Sequence, residues 1–376
     1  MKNVRMVCVV VVVIMLLGLV LGSACAGAKG DQGQQGEQGL QGQQGLAGEK
    51  GDKGDAGAQG AQGVQGLQGL QGIQGVQGPP GLGYSPMQIA LSRWYEAIQA
   101  GDNVTVGGQP IALTFDGADI WVADYQSTTY LTRINASSGE LLKQYLAGSY
   151  VNALAFDGTR IWISHFVDGT VSAIRLSDSS VLGPYPAPLA PNALAFDGAN
   201  IWVAGGNGIL AKIKASTGER LGTYNIGYDL TGLAFDGANI WASDFQADNV
   251  TKVRASDGFV QGSYKVGDSP WGVAFDGANI WVANVNGASV TRLRASDGFV
   301  LGTYSVGSWP IAVTFDGRNI WVANNNSQNS QNVTKLSASD GSLVGTYAAG
   351  AQPRALAFDG ANVWVANFGD GTVMKF

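Results

Sequence analysis

The chain has 376 residues, of which 56 are glycine and only 13% are charged, with a formal net charge of −6. That length holds more than one ordinary domain. The acidic balance argues against nucleic acid as a partner, because phosphate binding needs a basic face.

Residues 1–26 read as an export signal. Lys2 and Arg5 supply the positive start, Met6–Leu21 is apolar apart from Gly18, and Gly22-Ser23-Ala24-Cys25-Ala26 supplies small residues. Two fates compete. Ala24-Cys25-Ala26 satisfies the small-x-small cleavage rule and would release a soluble secreted protein. Leu-Gly-Ser-Ala-Cys resembles a bacterial lipobox, in which Cys25 is lipidated and anchors the protein to the membrane. Cys8 and Cys25 are the two cysteines, so the exported body has no disulfide to make.

From Gly27 to Pro80 every third residue is glycine, through 18 triplets, and Gly81 opens another. Only glycine fits the crowded axis of a triple helix, so residues 27–83 are expected to be a collagen-like stalk of three wound chains, a homotrimer. At about 3 Å per residue such a stalk spans roughly 160 Å. Lys29-Gly30-Asp31, Lys50-Gly51-Asp52 and Lys53-Gly54-Asp55 suit pairing between chains, individually worth roughly 0–1 kcal/mol. The stretch resembles bacterial collagen-like proteins. A short neck, residues 84–101, follows. Met87, Leu91, Trp94 and Ile98 fall on one helix face, which could pack at a trimer axis or on the head.

Residues 102–376 are organised by a repeated FDGANIWVAN-type stretch beginning at Phe115, Phe156, Phe196, Phe235, Phe275, Phe315 and Phe358. A period near forty identifies a repeat architecture. In the cleanest unit, Trp271–Phe275 and Ile280–Ala283 are apolar strands joined by Asp-Gly-Ala-Asn, Val290–Ala295 alternates, and Val300–Val306 follows a Ser-Asp-Gly turn. Four antiparallel strands per unit make a propeller blade, and seven units make a seven-bladed, all-β propeller. The seventh unit has three strands before Phe376; Asn103–Gly107 matches the missing fourth, so the first strand is expected to complete the last blade and close the ring. The repeat tryptophans are expected to fill the space between blades.

The WVANVNGASVTRLRASDGFVLGTYSVGSWPIAVTFDG stretch resembles the YVTN-type propeller repeat and the broader group containing NHL repeats and the streptogramin lyase propeller. The likeness to the lyase implies elimination chemistry using histidine, acidic groups and magnesium. His165 is the one histidine, so it supplies a single candidate base and no metal pair. No catalytic residue, metal or cofactor is assigned. The seven FDG aspartates are assigned to turn geometry, because they lack the dense acidic spacing of a calcium loop.

Positions where the repeats differ carry the candidate site. Three residues after each tryptophan come Asp124, His165, Gly205, Asp244, Asn284, Asn324 and Asn367. Four residues before each repeat phenylalanine come Ile111, Asn152, Asn192, Thr231, Trp271, Ile311 and Arg354. These are expected to form two rings around the channel mouth, suited to a sugar, peptide or small polar ligand. The resulting expectation is an exported, lipid-anchored or secreted surface protein that binds glycans or surface proteins. A lyase or hydrolase at the mouth and a structural surface-layer component are the alternatives.

Overall fold

The computed structural model describes residues 102–126, 129–326 and 330–376. The expected signal with Cys25, the stalk and the neck lie outside the described residues. What is described is all β: seven four-stranded antiparallel sheets arranged as a seven-bladed propeller. In blade 5 the strands are Pro270–Phe275 (a, innermost), Asn279–Asn284 (b), Ser289–Arg294 (c) and Val300–Ser305 (d, outermost). The sequence reading matches these within a residue or two at each end.

The FDG turn explains why the repeat keeps its wording. Asp276 Oδ1 accepts the backbone N–H groups of Ala278 (2.9 Å) and Asn279 (2.6 Å), fixing the hairpin between strands a and b. Its Oδ2 accepts the indole Nε1–H of Trp281 at 2.7 Å. Gly277 takes φ +97°, a backbone conformation that costs a glycine little. The same aspartate–indole bond recurs in every blade, at 2.7–2.8 Å. One aspartate therefore sets a turn and satisfies a buried indole, and both of its oxygens are occupied.

The indoles are at most 5% exposed. Each clamps one blade to the next: Trp281 packs with Ile320, Val322 and Leu336 of blade 6. Burying roughly 200 Å² per indole is worth on the order of 5 kcal/mol, as an upper bound. Tyr304 from strand d lies against the same ring at 5.6 Å.

A second link runs between blades through lysine. Lys212 lies over Trp202 (5.3 Å) and donates to the Ala255 carbonyl of the next blade at 2.6 Å. Lys252 lies over Trp241 (5.2 Å) and donates to Ala295 O at 2.7 Å. Blade 2 has Ala173 opposite its tryptophan, and there Arg160 reaches Ala215 O at 2.8 Å instead.

The ring closes as the chain ends suggested. Blade 7 consists of Pro353–Phe358, Val363–Asn367 and Thr372–Lys375, and its outermost strand is Asp102–Thr105, antiparallel to Thr372–Lys375. Val106 N–H and Gly107 N–H both donate to Gly371 O at 3.0 Å. Closure covers the edge that an incomplete last blade would expose.

Candidate binding face at the channel mouth

The strand registers bring both candidate rings to one face. The first residue of each strand a pairs with the last of strand b, as in Pro110 with Asp124, Leu230 with Asp244, and Pro353 with Asn367. The FDG turns lie at the opposite ends of these strands. Loops d-to-a and b-to-c therefore share the mouth face.

The two rings nevertheless differ in kind. The ring at the end of strand b is buried: Asp244, Asn284, Asn324 and Asn367 are 0% exposed, His165 6% and Asp124 8%. These side chains do not line an open funnel, which corrects the expectation for that ring. They hold the loops instead. Asn284 Nδ2 donates to Ser289 Oγ (3.1 Å) and Thr291 Oγ1 (2.9 Å), while its Oδ1 accepts Gly267 N–H (3.1 Å). Asn324 reaches Thr334 Oγ1 at 2.9 Å, and Asn367 reaches Thr372 Oγ1 at 3.1 Å. Asp244 accepts N–H groups from Tyr228 (2.7 Å), Asp229, Gln246 and Ala247.

His165 occupies the same structural position. Its Nε2 is 2.7 Å from Ser172 Oγ, seven residues on, just as Asn284 meets Thr291 seven residues on. The Ser–His contact is thus blade 2's version of a cross-strand bond made elsewhere by asparagine and threonine. Burial holds the imidazole below its ordinary pKa, opposed by a hydrogen bond with the Ser149 backbone and by the charge of Asp168. Asp124 is less well served. Its Oδ1 has no hydrogen-bond partner, and burial pushes its carboxyl up to about 7. Gly108 packs directly against that carboxylate.

The inner ring is re-aimed by a bulge. In every blade the a–b register shifts at the start of strand a, and the skipped positions contain Ile111, Asn152, Asn192, Thr231, Trp271, Ile311 and Arg354. A bulge leaves its extra residue unpaired and turns its side chain out of the pleat. Three of these residues reach along the ring to the neighbouring inner strand. Asn152 Nδ2 approaches Asn192 Oδ1 (3.2 Å), Asn192 Nδ2 donates to Leu230 O (2.9 Å), and Thr231 Oγ1 donates to Pro270 O (2.9 Å). Thr231 is 3% exposed, and Ile111 is 6% exposed. Trp271 and Arg354 are half-buried at the mouth: Trp271 meets Phe245 edge-on at 5.7 Å, and Arg354 lies over Phe368 at 5.3 Å.

Those aromatic partners mark a third ring that the sequence reading missed. One residue beyond the buried b-strand ring come Tyr125, Phe166, Gly206, Phe245, Val285, Asn325 and Phe368. Each N–H bonds to the carbonyl of the residue immediately before strand a, as in Phe245 to Asp229 O and Phe368 to Gln352 O. Tyr125 packs edge-on against Tyr150 at 5.4 Å. Five of the accepting residues, Tyr150, Ala190, Ser269, Trp309 and Gln352, have φ of 46–55°, a conformation uncommon without glycine. It turns their side chains onto the mouth face, where Trp309 is 55% exposed. A signal existed in the sequence: four of the seven residues at the missed position are aromatic.

A shallow cleft of about 560 Å³ lies at this face, lined by Asn207, Asn225, Ile226, Gly227 and Tyr228. Among the described residues no group of three His, Cys, Asp or Glu side chains is placed to share a metal ion. The face thus combines exposed aromatic surface, inward amides, loop aspartates and few cations.

Residues 25–83 match the family model described as collagen triple helix repeat (20 copies). No curated protein matches the chain. The match covers the amino-terminal Gly-X-Y region, so the chain joins a collagen-like region to a seven-bladed β-propeller.

Proposed function

We propose that this protein is an exported binding protein that displays three propeller heads on a trimeric collagen-like stalk. The single observation that carries the reading is the joining of a triple-helix repeat to a closed propeller whose mouth face presents loop-borne aromatics. Triple helices need three chains. Three heads convert weak contacts with a repetitive target into tight attachment, by as much as 10²–10⁴ over one head. The target class is a glycan or a surface protein. Residues 1–26 act as the export signal, with Cys25 as the lipidation point that fastens the stalk to the envelope, or as part of a cleavage site that releases it. The repeat is a YVTN- or NHL-type unit, on the strength of its W-V-A-N strand and V-G-x-x-P turn.

The test is sedimentation of the full chain together with binding to glycan and protein arrays, beside a Gly51→Glu variant that interrupts the triplet register. The expected result is a trimer whose apparent affinity for an immobilised target falls at least about tenfold when the stalk is broken. A monomeric full chain, or binding that ignores the stalk lesion, overturns the reading.

A further inference from the structure

The mouth face holds one cation whose surroundings do not account for it. Arg354 sits at the bulge of the blade 7 inner strand and is half-buried. Arg133, Arg160, Arg175, Arg254 and Arg294 each pair with an aspartate, and none of the ion pairs among the described residues involves Arg354. Lys265, the other cation at the mouth end of its blade, is held by Asp248 at 3.3 Å. The guanidinium lies over Phe368 and within electrostatic reach of Tyr125, which meets Tyr150 edge-on. Phe368 and Tyr125 both pack against the core around Ile111, so this wall is fixed by three blades. A half-buried cation without a counter-ion keeps only part of its hydration, and an arriving anion supplies the missing opposite charge. Burial accordingly holds the guanidinium below its ordinary pKa.

We propose that Arg354, walled by Phe368, Tyr125 and Tyr150, anchors the carboxylate of an acidic sugar unit at the channel mouth. The proposal rests on the mouth being the binding face. The guanidinium fork matches a carboxylate with two parallel hydrogen bonds. A phosphate dianion fits worse: Arg354 is the one unpaired cation at this face among the described residues, whereas Asp168, Asp229 and Asp370 all stand in the mouth loops. A second negative charge would meet repulsion from them. The wall favours a sugar over an aliphatic group. It is aromatic and carries two tyrosine hydroxyls, so it offers apolar ring surface and hydrogen bonds together.

The experiment titrates the full chain with glucuronic acid, glucuronamide, glucose and N-acetyl-phenylalanine, by calorimetry and saturation-transfer NMR. Glucuronic acid is expected to bind at least about tenfold more tightly than glucuronamide or glucose, the scale of one charge-assisted contact. That preference disappears in Arg354→Gln and survives in part in Arg354→Lys. Equal binding of acid and amide, a preference for N-acetyl-phenylalanine, or unchanged binding in Arg354→Gln overturns it. Should Arg354→Gln fail to fold, the acid–amide comparison in the unaltered chain decides alone. Neutral sugars that bind through Trp271 but ignore Arg354 would sink this inference and leave the binding head standing. Silence from all four ligands would sink this inference, whereas the binding head stands or falls on the stalk experiment.

Discussion

Lys375 Nζ donates to the backbone carbonyl of Ala136 at 2.9 Å, across 239 positions of sequence. The bond joins strand c of blade 7 to the c–d turn of blade 1, while Lys375 also lies over Trp364 at 5.3 Å. It has the geometry that Lys212 and Lys252 use between consecutive blades, so the seam where the chain ends meet is built like the other seams. The ring has two closures, this one and the Asp102–Thr105 strand.

Removing residues 102–107 from the full chain tests the strand closure. The deletion takes away a four-residue strand pairing and the buried side chain of Val106. It is expected to cost more than about 3 kcal/mol, seen as a lower denaturant midpoint. A variant as stable as the parent would show that the ring closes without this strand.

Lys375→Met keeps the aliphatic stem over Trp364 and removes the donor. The Ala136 carbonyl then lacks its charged partner, at an expected cost of about 1–3 kcal/mol. Lys252→Met should cost a similar amount, since its bond to Ala295 is the same. Chemical denaturation of the two variants side by side checks whether the terminal seam is equivalent to an internal one.

Acid should unfold the head through its turns. In Asp157, Asp197, Asp236, Asp276, Asp316 and Asp359 burial raises the carboxyl pKa, but the opposing bonds from indole and turn N–H groups outweigh it and the net pKa is lowered. A group whose folded pKa is lowered contributes stability that is present above the unfolded value and lost as pH falls through the folded one. Stability should therefore drop steeply below about pH 4. Asp276→Asn should flatten that acid limb by one site's share, read as melting temperature against pH.

Asp124 predicts the opposite slope in another window. Its folded pKa, about 7, lies above the unfolded carboxylate value, so the folded state binds the proton more tightly. Stability from this group falls as pH rises from the unfolded value toward about 7, then levels off. Asp124→Asn should be more stable than the parent at pH 8, and the gain should shrink as pH is lowered. The lowered pKa of His165 and the raised pKa of Asp229 act in both chains and cancel in the difference profile. A pH-independent difference would show that Asp124 remains charged.

Much of the architecture could be read from spacing. Seven FDG–Trp units set the blade count, and the match of Asn103–Gly107 to the missing strand predicted the closure seen at Thr372–Lys375. Turn chemistry placed the FDG aspartates correctly, although it could not show that the second oxygen serves the tryptophan five residues on. The candidate rings fared unequally. Repeat spacing placed them together on one face, but it could not tell the buried Asn284 from the half-buried Arg354.

The amino-acid sequence by itself determined the period, the strand pattern, the Gly-X-Y repeat and the order of the parts. Each of these is local: a glycine every third residue, a turn that asks for Asp-Gly, an apolar run of strand length. Only the tertiary structure decided which polar residues meet solvent. That depends on the bulge at the head of each inner strand, on loop residues at positive φ such as Tyr150 and Trp309, and on blade 7 coming to lie beside blade 1. Burial is a property of neighbours distant in sequence, and no window along the chain contains them.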